Sequence, residues 1–211
     1  MIQVPLILIP CKSLVFGKSR LSALLDAGER EAFCHDLLIK TLHLAIAAVG
    51  SVNVRLVSTD HTAEKIARGA GVESFTKERP DLNAALSGVR EEILAMTQWS
   101  EIVVLPIDLP LATKTTIQSV IAERADVIIV PDRKERGTNV LVLRGNAFAE
   151  FPFAYGEGSF ATHCKSAAQY GWTLSTQRVP ELAFDVDEPE DYLEWKKLQA
   201  GSSHMVRANN R

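Results

Sequence analysis

Short apolar runs and longer stretches of helical period alternate along this chain, and that alternation restricts its fold more than any other feature of the sequence. Four runs are continuous and rich in β-branched residues: Val4 to Ile9, Val54 to Ser58, Ile102 to Leu105 and Val127 to Val130. Such runs are typical of strands that are buried on both faces of a parallel sheet. Between them, apolar residues recur every three or four positions from Phe33 to Val49 and from Leu82 to Met96, which predicts helices with one apolar stripe.

The order of these elements predicts a single α/β domain with a doubly wound, mostly parallel sheet, because strands that alternate with helices are joined by right-handed crossovers. Two further strands are predicted at Val140 to Leu143 and Thr173 to Val179, and Pro189 opens a last helix that runs to Leu198. A chain of 211 residues, of which 46% are apolar, is long enough to bury one core. We assign residues 1–200 to the domain and residues 201–211, which are polar and aperiodic, to a disordered tail.

Charge, hydropathy and cysteine usage exclude several classes of protein. The net charge of -3 leaves no basic surface for nucleic acid. The longest apolar runs, Val4 to Pro10 and Leu44 to Val49, are far shorter than the roughly 20 residues that span a bilayer, so no membrane association is expected. Cys11, Cys34 and Cys164 lack the spacing of a zinc site or a disulfide framework, and we interpret them as reduced thiols of a cytoplasmic protein. A homodimer is compatible with the sequence, which does not determine the oligomeric state.

Polar segments follow each of the four main predicted strands. They are Pro10 to Arg20, Thr59 with Asp60, Pro106 to Pro110, and Pro131 to Asn139. Ligands of doubly wound sheets bind beyond the carboxyl ends of the strands, where such segments converge. The sequence therefore predicts one ligand site at this edge of the sheet.

The segment after the first strand carries three cations in one loop: Lys12, Lys18 and Arg20. Such a loop can neutralise a triphosphate, and its backbone N–H groups add to the attraction of an anion. The run Gly17-Lys18-Ser19 also resembles the end of a P-loop, but that motif needs a glycine where this chain has Lys12. A P-loop NTPase and an ordinary solvated basic loop remain as alternatives.

Three acidic residues occupy positions suited to a metal ion. Asp108 ends the third strand, and Asp185 and Asp187 form an Asp-x-Asp pair near the C-terminus. Mg²⁺ is commonly held by one or two carboxylates together with substrate phosphates, so these residues are the candidate metal ligands. The alternative for Asp187 is a cap of the last helix, which Pro189 opens.

Two glycine-containing loops are candidate anion sites: Gly137-Thr138-Asn139 and Tyr155-Gly-Glu-Gly-Ser-Phe160. The second loop precedes a helical stretch, whose free N-terminal amides can bind a carboxylate or a phosphate, although Ser159 can also be a simple helix cap. Asp81 and Asn83 open another helix and either cap it or contact a nucleotide. His163 has no metal-ligand partner at a suitable spacing, and we expect it to serve packing or a peripheral ligand contact.

Six motifs, in this order, resemble the guanylyltransferases of coenzyme F420 biosynthesis. They are Pro10-x-Lys12 with Gly17-Lys-Ser-Arg-Leu21, Asp81-Leu-Asn83-x-Ala85, Leu105-Pro-x-Asp-Leu-Pro110, Pro131-Asp-Arg133 with Gly137-Thr-Asn139, Gly156-x-Gly-Ser-Phe160 with His163, and Asp185-x-Asp187-x-Pro189-x-Asp191. The family has the fold of nucleotide-diphospho-sugar transferases. Related molybdenum-cofactor and sugar-nucleotide transferases begin with a glycine-rich loop, where this chain has Pro10-Cys11-Lys12, so the resemblance favours the F420 branch.

The resemblance implies a Mg²⁺-dependent transfer of GMP from GTP to a small phosphorylated carboxylic acid, namely 2-phospho-L-lactate, phosphoenolpyruvate or 3-phosphoglycerate, with release of pyrophosphate. The nucleophile is an ionised phosphate oxygen, so the reaction needs alignment and charge neutralisation rather than a general base. The implied site comprises Lys18 and Asp108 for catalysis; Pro10, Lys12, Lys18, Arg20, Asp81, Asn83 and Pro106 for the nucleotide; Thr138, Asn139, Gly156, Gly158 and Ser159 for the acceptor; and Asp108, Asp185 and Asp187 for the metal. A cytidylyltransferase or molybdenum-cofactor nucleotidyltransferase, a P-loop GTPase and a non-catalytic nucleotide-binding module remain the rival hypotheses.

Overall fold

A computed structural model of the chain describes residues 4–208, with side chains as far as residue 201. It contains one seven-stranded sheet flanked by helices, which confirms the predicted α/β class. The strands are β1 (Leu6–Pro10), β2 (Val54–Val57), β3 (Glu73–Phe75), β4 (Glu101–Val104), β5 (Val127–Pro131), β6 (Thr138–Arg144) and β7 (Leu174–Thr176). Their spatial order is β3-β2-β1-β4-β6-β5-β7, and within the described residues all neighbours are parallel except the two pairs that contain β6.

Eight α-helices complete the described chain. They are α1 (Ala27–Val49), α2 (His61–Gly69), α3 (Leu82–Met96), α4 (Lys114–Ala122), α5 (Gly145–Glu150), α6 (Ser159–Gln169), α7 (Pro180–Ala183) and α8 (Pro189–Ala208). The start of α1 is fixed by a capping box, in which the Asp26 side chain accepts from the Glu29 amide and the Glu29 side chain accepts from the Asp26 amide. With 23 residues, α1 is the one described helix long and apolar enough to cross a membrane by length and composition. It buries a stripe that includes Leu38 and Leu42 against the sheet, as a core helix does.

The central strands are buried on both faces, as their continuous apolar runs predict. In β1, Ile7 and Ile9 face the core shared with α1, while Leu6 and Leu8 face the opposite core beside α3, and all four are fully buried. This alternation follows from the two-residue period of a strand. The two cores pack against opposite faces of the sheet and thereby hold the ends of its strands in position.

Three of the differences from the sequence-based expectation have a clear physical reason. Strand β6 runs antiparallel because only residues 132–137 separate it from β5, and a connection this short allows a hairpin but no crossover. Strand β3 was not predicted, since Glu73-Ser74-Phe75 contains a single large apolar residue. The last helix continues to Ala208 instead of ending at Leu198, because a nucleated helix extends at little cost even through a poor helix former such as Gly201.

The predicted disordered tail, residues 201–211, therefore shares its first eight residues with α8. Residues 209–211 of that tail lie outside the described residues. Residues 1–3, at the N-terminal limit of the predicted domain, also lie outside the described residues.

Candidate functional site

A cleft of about 680 Å³ opens at the carboxyl ends of β1, β2, β3 and β4, the edge where the sequence predicts the ligand site. Its wall contains most of the residues predicted to bind a nucleotide or to act in catalysis: Pro10, Lys12, Lys18, Arg20, Asp81, Pro106 and Asp108. Asp187 joins them from the far end of the chain, whereas Asn83 and Asp185 do not line this cleft. Tertiary structure thus gathers segments more than 100 residues apart into one cavity.

Lys18 lies between two carboxylates at the floor of the cleft. Its Nζ atom is 2.9 Å from Asp108 Oδ2 and 2.7 Å from Asp187 Oδ1, and only 10% of its side chain is exposed. Burial opposes the charge on Lys18, but the two neighbouring carboxylates outweigh it and raise the pKa of the ammonium above its ordinary value. Lys18 is therefore a cation throughout the physiological pH range.

The backbone around Lys18 explains how the loop holds this position. Lys18 has a left-handed conformation with φ of 50°, and the next residues form a short 3-10 helix (Ser19–Ala23) that anchors Leu21 in the core. A side chain at position 17 would force a local shift, because a Cβ atom there would lie 2.6 Å from Cys34 Sγ on α1 and 3.3 Å from the Ser13 carbonyl. The loop is thus pressed against α1, and Lys18 is directed into the cleft.

Asp60, which was predicted to lie at this edge of the sheet but was given no role, is a positioning residue. Its carboxylate accepts from the Leu14 amide at 2.9 Å and also caps α2 through the Thr62 and Ala63 amides. Although burial opposes the charge, these backbone hydrogen bonds lower the pKa of Asp60 below its usual value. The bond to Leu14 joins the cationic loop to the end of β2. The feature of the sequence that points to Asp60 is its position shortly after the buried strand β2.

Asp187 is not the cap of the last helix. Its carboxylate bonds Lys18, whereas the amides of Asp187 and Glu188 are bonded by the side chain of Asp191, at 3.2 and 2.9 Å. The Val186 amide donates to the Asp108 carbonyl at 3.1 Å, which holds this segment beside the end of β4. Asp191 therefore supplies the capping interaction and leaves the Asp187 carboxylate directed toward the cleft.

Asp185 lies close to the other two carboxylates. Burial first, and then the negative charges of Asp108 and Asp187, raise the pKa of Asp185 to about 6. Among residues 4–201, no three or more His, Cys, Asp or Glu side chains are arranged as a ready metal site. The Lys18 ammonium occupies the space between Asp108 and Asp187 instead. The donor set is nonetheless entirely carboxylate oxygen, which suits a hard divalent cation.

The helix-opening residues Asp81 and Asn83 are placed differently from each other. Asp81 lines the cleft and caps α3 through the Ala84 amide at 2.8 Å. Asn83 points away and forms two hydrogen bonds with the backbone of Tyr155, at 3.0 and 2.7 Å. These two bonds join α3 to the loop before α6. The cleft lining beside Asp81 instead includes Phe75, Lys77, Arg79 and Glu92, none of which was predicted from the sequence.

The two glycine-containing loops meet, as expected from their places at the strand ends. The Thr138 amide donates to Ser159 Oγ at 3.0 Å, and Thr138 Oγ1 lies 2.9 Å from His163 Nδ1. His163 Nε2 accepts from the Ala154 amide at 3.1 Å, so the proton of the neutral ring is on Nδ1 and is donated to Thr138. His163 is fully buried, and this burial lowers its pKa to about 4.

The remaining residues predicted to bind the acceptor have structural partners or special backbone conformations. Asn139 is buried and donates to the Leu182 carbonyl at 2.9 Å, which holds α7 against β6. Gly156 and Gly158 have φ values of 139° and 69°, in the region that favours glycine, and they form the turn that places Ser159 at the start of α6.

A smaller cavity of about 120 Å³ adjoins the cleft and shares Arg20 and Asp187 with it. Its other lining residues are Asp132, Arg133, Lys134, Arg136, Asp185, Glu188 and Asp191. The carbonyl of Arg136 accepts from the Phe160 amide at 3.1 Å, next to Ser159. The carboxylate cluster thus stands between the main cleft and a second, strongly charged recess that borders the loop containing Ser159.

Solved structures share this fold at low sequence identity. A protein of Desulfovibrio desulfuricans described as a nucleotide-diphospho-sugar transferase superposes with a TM-score of 0.62 at 11% identity, over 87% of this chain and 82% of that one. A 4-diphosphocytidyl-2C-methyl-D-erythritol synthase gives 0.64 at 11% identity, over 94% and 99%. A Mycobacterium tuberculosis protein solved with manganese gives 0.54 at 19% identity, over 90% and 97%. These similarities confirm the predicted type of fold.

Curated relatives are closer in sequence. A phosphoenolpyruvate guanylyltransferase of Chloroflexus aggregans is 34% identical over 190 residues, which cover 87% of this chain and 93% of that one. A 2-phospho-L-lactate guanylyltransferase of Methanosphaerula palustris is 34% identical over 191 residues, 90% of this chain and 83% of that one. A 3-phospho-D-glycerate guanylyltransferase of Phenylobacterium zucineum is 31% identical over 187 residues, 84% and 83%. The family described as "Guanylyl transferase CofC like" matches residues 5–204. The chain with Lys18, Asp108 and Asp187 at the centre of its cleft belongs to this CofC-like guanylyltransferase family.

Proposed function

We propose that this protein transfers GMP from GTP to the phosphate of a small phosphorylated carboxylic acid, with release of pyrophosphate, as a step in the biosynthesis of coenzyme F420. The observation that carries the proposal is the cluster of Lys18, Asp108 and Asp187 at the floor of a cleft in a CofC-like guanylyltransferase. A buried cation between carboxylates provides both charges that a nucleotidyl transfer requires: a positive one for phosphate and a negative one for metal.

The reaction needs no general base. An ionised phosphate oxygen of the acceptor attacks the α-phosphorus of GTP, a new P–O bond forms, and the bond to the β-phosphate breaks to release pyrophosphate. No proton must be removed from the nucleophile at neutral pH. Consistent with this chemistry, the lining of the cleft in the described chain contains no histidine, and His163 is buried behind Thr138.

Asp108, Asp185 and Asp187 are the residues that would hold a divalent metal, which we expect to be Mg²⁺. Their fit rests on the donor set: three carboxylates are grouped around one ammonium, that of Lys18, and carboxylate oxygen is the ligand that a hard divalent cation prefers. A related fold has been solved with manganese, in the Mycobacterium tuberculosis protein. When bound, a divalent ion would neutralise phosphate charge and polarise the α-phosphate.

The cationic loop would receive the triphosphate. Lys12, Lys18 and Arg20 all line the cleft after β1, and their charges complement an anionic chain of three phosphates. Lys18 is the most constrained of the three, because its neighbours and its backbone conformation fix it in place. It is therefore the residue to which we assign alignment and neutralisation of charge at the reacting phosphate.

We assign the carboxylate or phosphate of the acceptor to Thr138 and Ser159, which are buried and line neither the main cleft nor the smaller cavity. Thr138 Oγ1 accepts from His163, and Ser159 Oγ accepts from the Thr138 amide, so each hydroxyl oxygen is held while its own proton remains to be donated. The Gly156–Gly158 turn would add backbone amides beside them. Asn139, which the resemblance also assigned to the acceptor, has its amide engaged with Leu182, and we assign it a supporting role.

A direct assay identifies the acceptor: the protein is incubated with GTP, Mg²⁺ and one acid at a time, namely phosphoenolpyruvate, 2-phospho-L-lactate or 3-phosphoglycerate. We expect one acid to give its guanylylated product, identified by mass, together with an equal amount of pyrophosphate. Absence of product with all three acids would refute the proposal.

The same assay separates the rival hypotheses. Product from CTP but not from GTP would identify a cytidylyltransferase, and release of orthophosphate without product would identify a GTPase. Binding of GTP with no turnover would identify a binding module. The free thiols of Cys11, Cys34 and Cys164 agree with a reducing cytoplasm, where we place the enzyme.

A further inference from the structure

The cleft has two chemically different ends. Lys12, Lys18 and Asp108 occupy the end beside β1 and β4, whereas the other end lies beneath β3 and along α3. Strand β2 separates β3 from β1, so the two ends are roughly 10 Å apart, at about 4.8 Å for each strand spacing. If the triphosphate lies on the cationic loop, as in the proposed function on which this inference rests, the base of the nucleotide extends toward β3.

The end near β3 has the apolar surfaces that a flat base requires. Its lining residues include Phe75 and Pro80, together with Leu82, Ala85 and Val89 of α3. The three residues of α3 are spaced three and four apart, so they lie on one face of the helix. This apolar stripe continues for one further step of three residues and ends at Glu92, which also lines the cleft.

Glu92 places a carboxylate at the end of that apolar stripe. Its Oε1 atom accepts from Lys77 Nζ at 2.7 Å, and only 30% of its side chain is exposed, compared with 67% for Lys77. A half-buried carboxylate at the end of an apolar slot is a strong acceptor for N–H groups at the edge of a base.

Arg79 adds a second polar group at the same end. Its guanidinium lies against the backbone of Gly88 on α3, where an added Cβ atom would be 2.8 Å from Nη2 and 2.9 Å from Nε. The absence of a side chain at position 88 permits this close approach of the guanidinium to the helix. Arg79 lines the cleft and has a planar set of donors.

Guanine matches these two groups. It presents N1–H and a 2-amino group as donors on one edge, and O6 and N7 as acceptors on the other. Adenine and cytosine instead place an acceptor nitrogen where guanine has N1–H, and a carboxylate there would face a lone pair. We propose that Glu92 and Arg79 determine the preference for guanine: Glu92 accepts from N1–H and the 2-amino group, and Arg79 donates to O6 and N7. Lys77 is a positioning residue that orients Glu92.

The first test compares GTP with inosine triphosphate, which lacks only the 2-amino group. We expect the wild-type kcat/KM to favour GTP over inosine triphosphate at least about tenfold, and Glu92→Ala to reduce that ratio to within about threefold of one. Glu91→Ala is the matched control, because Glu91 is an exposed neighbour on α3 that does not line the cleft, and it should keep the wild-type ratio.

Two further variants separate base recognition from a structural role. Lys77→Met removes the partner of Glu92 but not its carboxylate, so the ratio of GTP to inosine triphosphate should stay well above one. Arg79→Ala should abolish the preference for GTP over 7-deaza-GTP, which lacks the N7 acceptor, and should leave the inosine triphosphate ratio largely unchanged. Glu92→Gln serves if Glu92→Ala does not fold, and we expect it to lower the same ratio.

The outcomes distinguish this inference from the proposed function. If the wild-type protein forms guanylylated acid but Glu92→Ala or Glu92→Gln retains the full ratio of GTP to inosine triphosphate, the assignment of Glu92 is wrong while the function stands. An unchanged preference for GTP over 7-deaza-GTP in Arg79→Ala overturns the assignment of Arg79 in the same way. If the wild-type protein uses no guanine nucleotide at all, both the function and this inference are overturned.

Discussion

The ammonium of Lys18 lies 2.7 Å from the carboxylate of Asp187, although 169 residues separate them in the sequence. This contact joins the loop after the first strand to the segment before the last helix, and Asp108 completes it from the end of β4 at 2.9 Å. The pair lies at the boundary between the main cleft and the smaller charged cavity. We therefore expect substitutions on the two sides of it to affect the binding of GTP and of the acceptor separately.

Lys18→Ala should weaken GTP binding strongly and acceptor binding little. The substitution removes a buried cation from the proposed triphosphate site and leaves Asp108 and Asp187 to repel each other and the phosphates. Calorimetric titration of each ligand separately, with Mg²⁺ present, measures the two effects. Arg68→Ala, at an exposed position on α2, is a control that removes one positive charge away from the cleft. Unchanged affinity for GTP would mean that the cations of the loop are only a solvated surface.

Asp108→Asn and Asp187→Asn should each abolish turnover while the fold remains intact. Asparagine keeps the shape of aspartate but loses the anionic oxygen that a hard cation requires. Steady-state rates at saturating Mg²⁺, together with circular dichroism, test both parts of the prediction. Asp36→Asn, in which the side chain is 83% exposed on α1, should retain wild-type activity. Rates within about tenfold of wild type for both site variants would remove the metal assignment.

Ser159→Ala should raise the KM for the phosphorylated acid at least about tenfold and leave the KM for GTP within about threefold. Loss of one hydrogen bond to a charged ligand group costs about 1.5–3 kcal/mol, a factor of roughly ten to a hundred in affinity. The hydroxyl also accepts from the Thr138 amide, so thermal unfolding should be measured alongside to record any loss of stability. A shift in the GTP constant alone would place this loop in the nucleotide site.

His163 should make the protein less stable as the pH falls from about 6.5 to about 4. Burial lowers its pKa from 6.5 to about 4 in the folded state, so in this window the unfolded chain binds a proton that the native protein does not. The free energy of unfolding therefore decreases as the pH falls, by at most about 3 kcal/mol. Above pH 6.5, His163 is neutral in both the folded and the unfolded state and causes no further change in stability.

Urea unfolding at several pH values checks this expectation by comparing wild type with His163→Gln, which cannot titrate. The comparison is needed because the raised pKa of Asp185 acts in the opposite direction, stabilising the native state as the pH falls through about 6. The difference between the two proteins should shrink as the pH is lowered from 6.5 to 4. A constant difference across that range would show that His163 does not titrate with the predicted shift.

The sequence predicted the elements whose apolar patterns are set by burial. The apolar runs of β1 and β4 and the stripe of α3 can be recognised because a central strand must be apolar on both faces and a packed helix on one. Strand β3 was not recognised, because its three residues include one large apolar side chain and none of them is buried. The other edge strand, β7, has the same length and burial, but it lies within the longer predicted run Thr173 to Val179. Lys77, which follows β3, was missed together with that strand, whereas Glu92 lies on the predicted helix α3 and has no local signal of its place in the cleft.

By itself, the sequence determined the class of fold and the edge of the sheet at which the cleft opens, because loops after buried strands converge wherever the sheet is parallel. It also named several polar residues that line this cleft, among them Lys12, Lys18 and Asp108, whose roles remain predictions. Tertiary structure alone decided what each side chain does there. It directed Lys18 between Asp108 and Asp187, and it turned Asn83 toward Tyr155 and Asn139 toward Leu182. These choices depend on contacts between segments far apart in the chain, and no local pattern of residues encodes which buried polar group finds which partner.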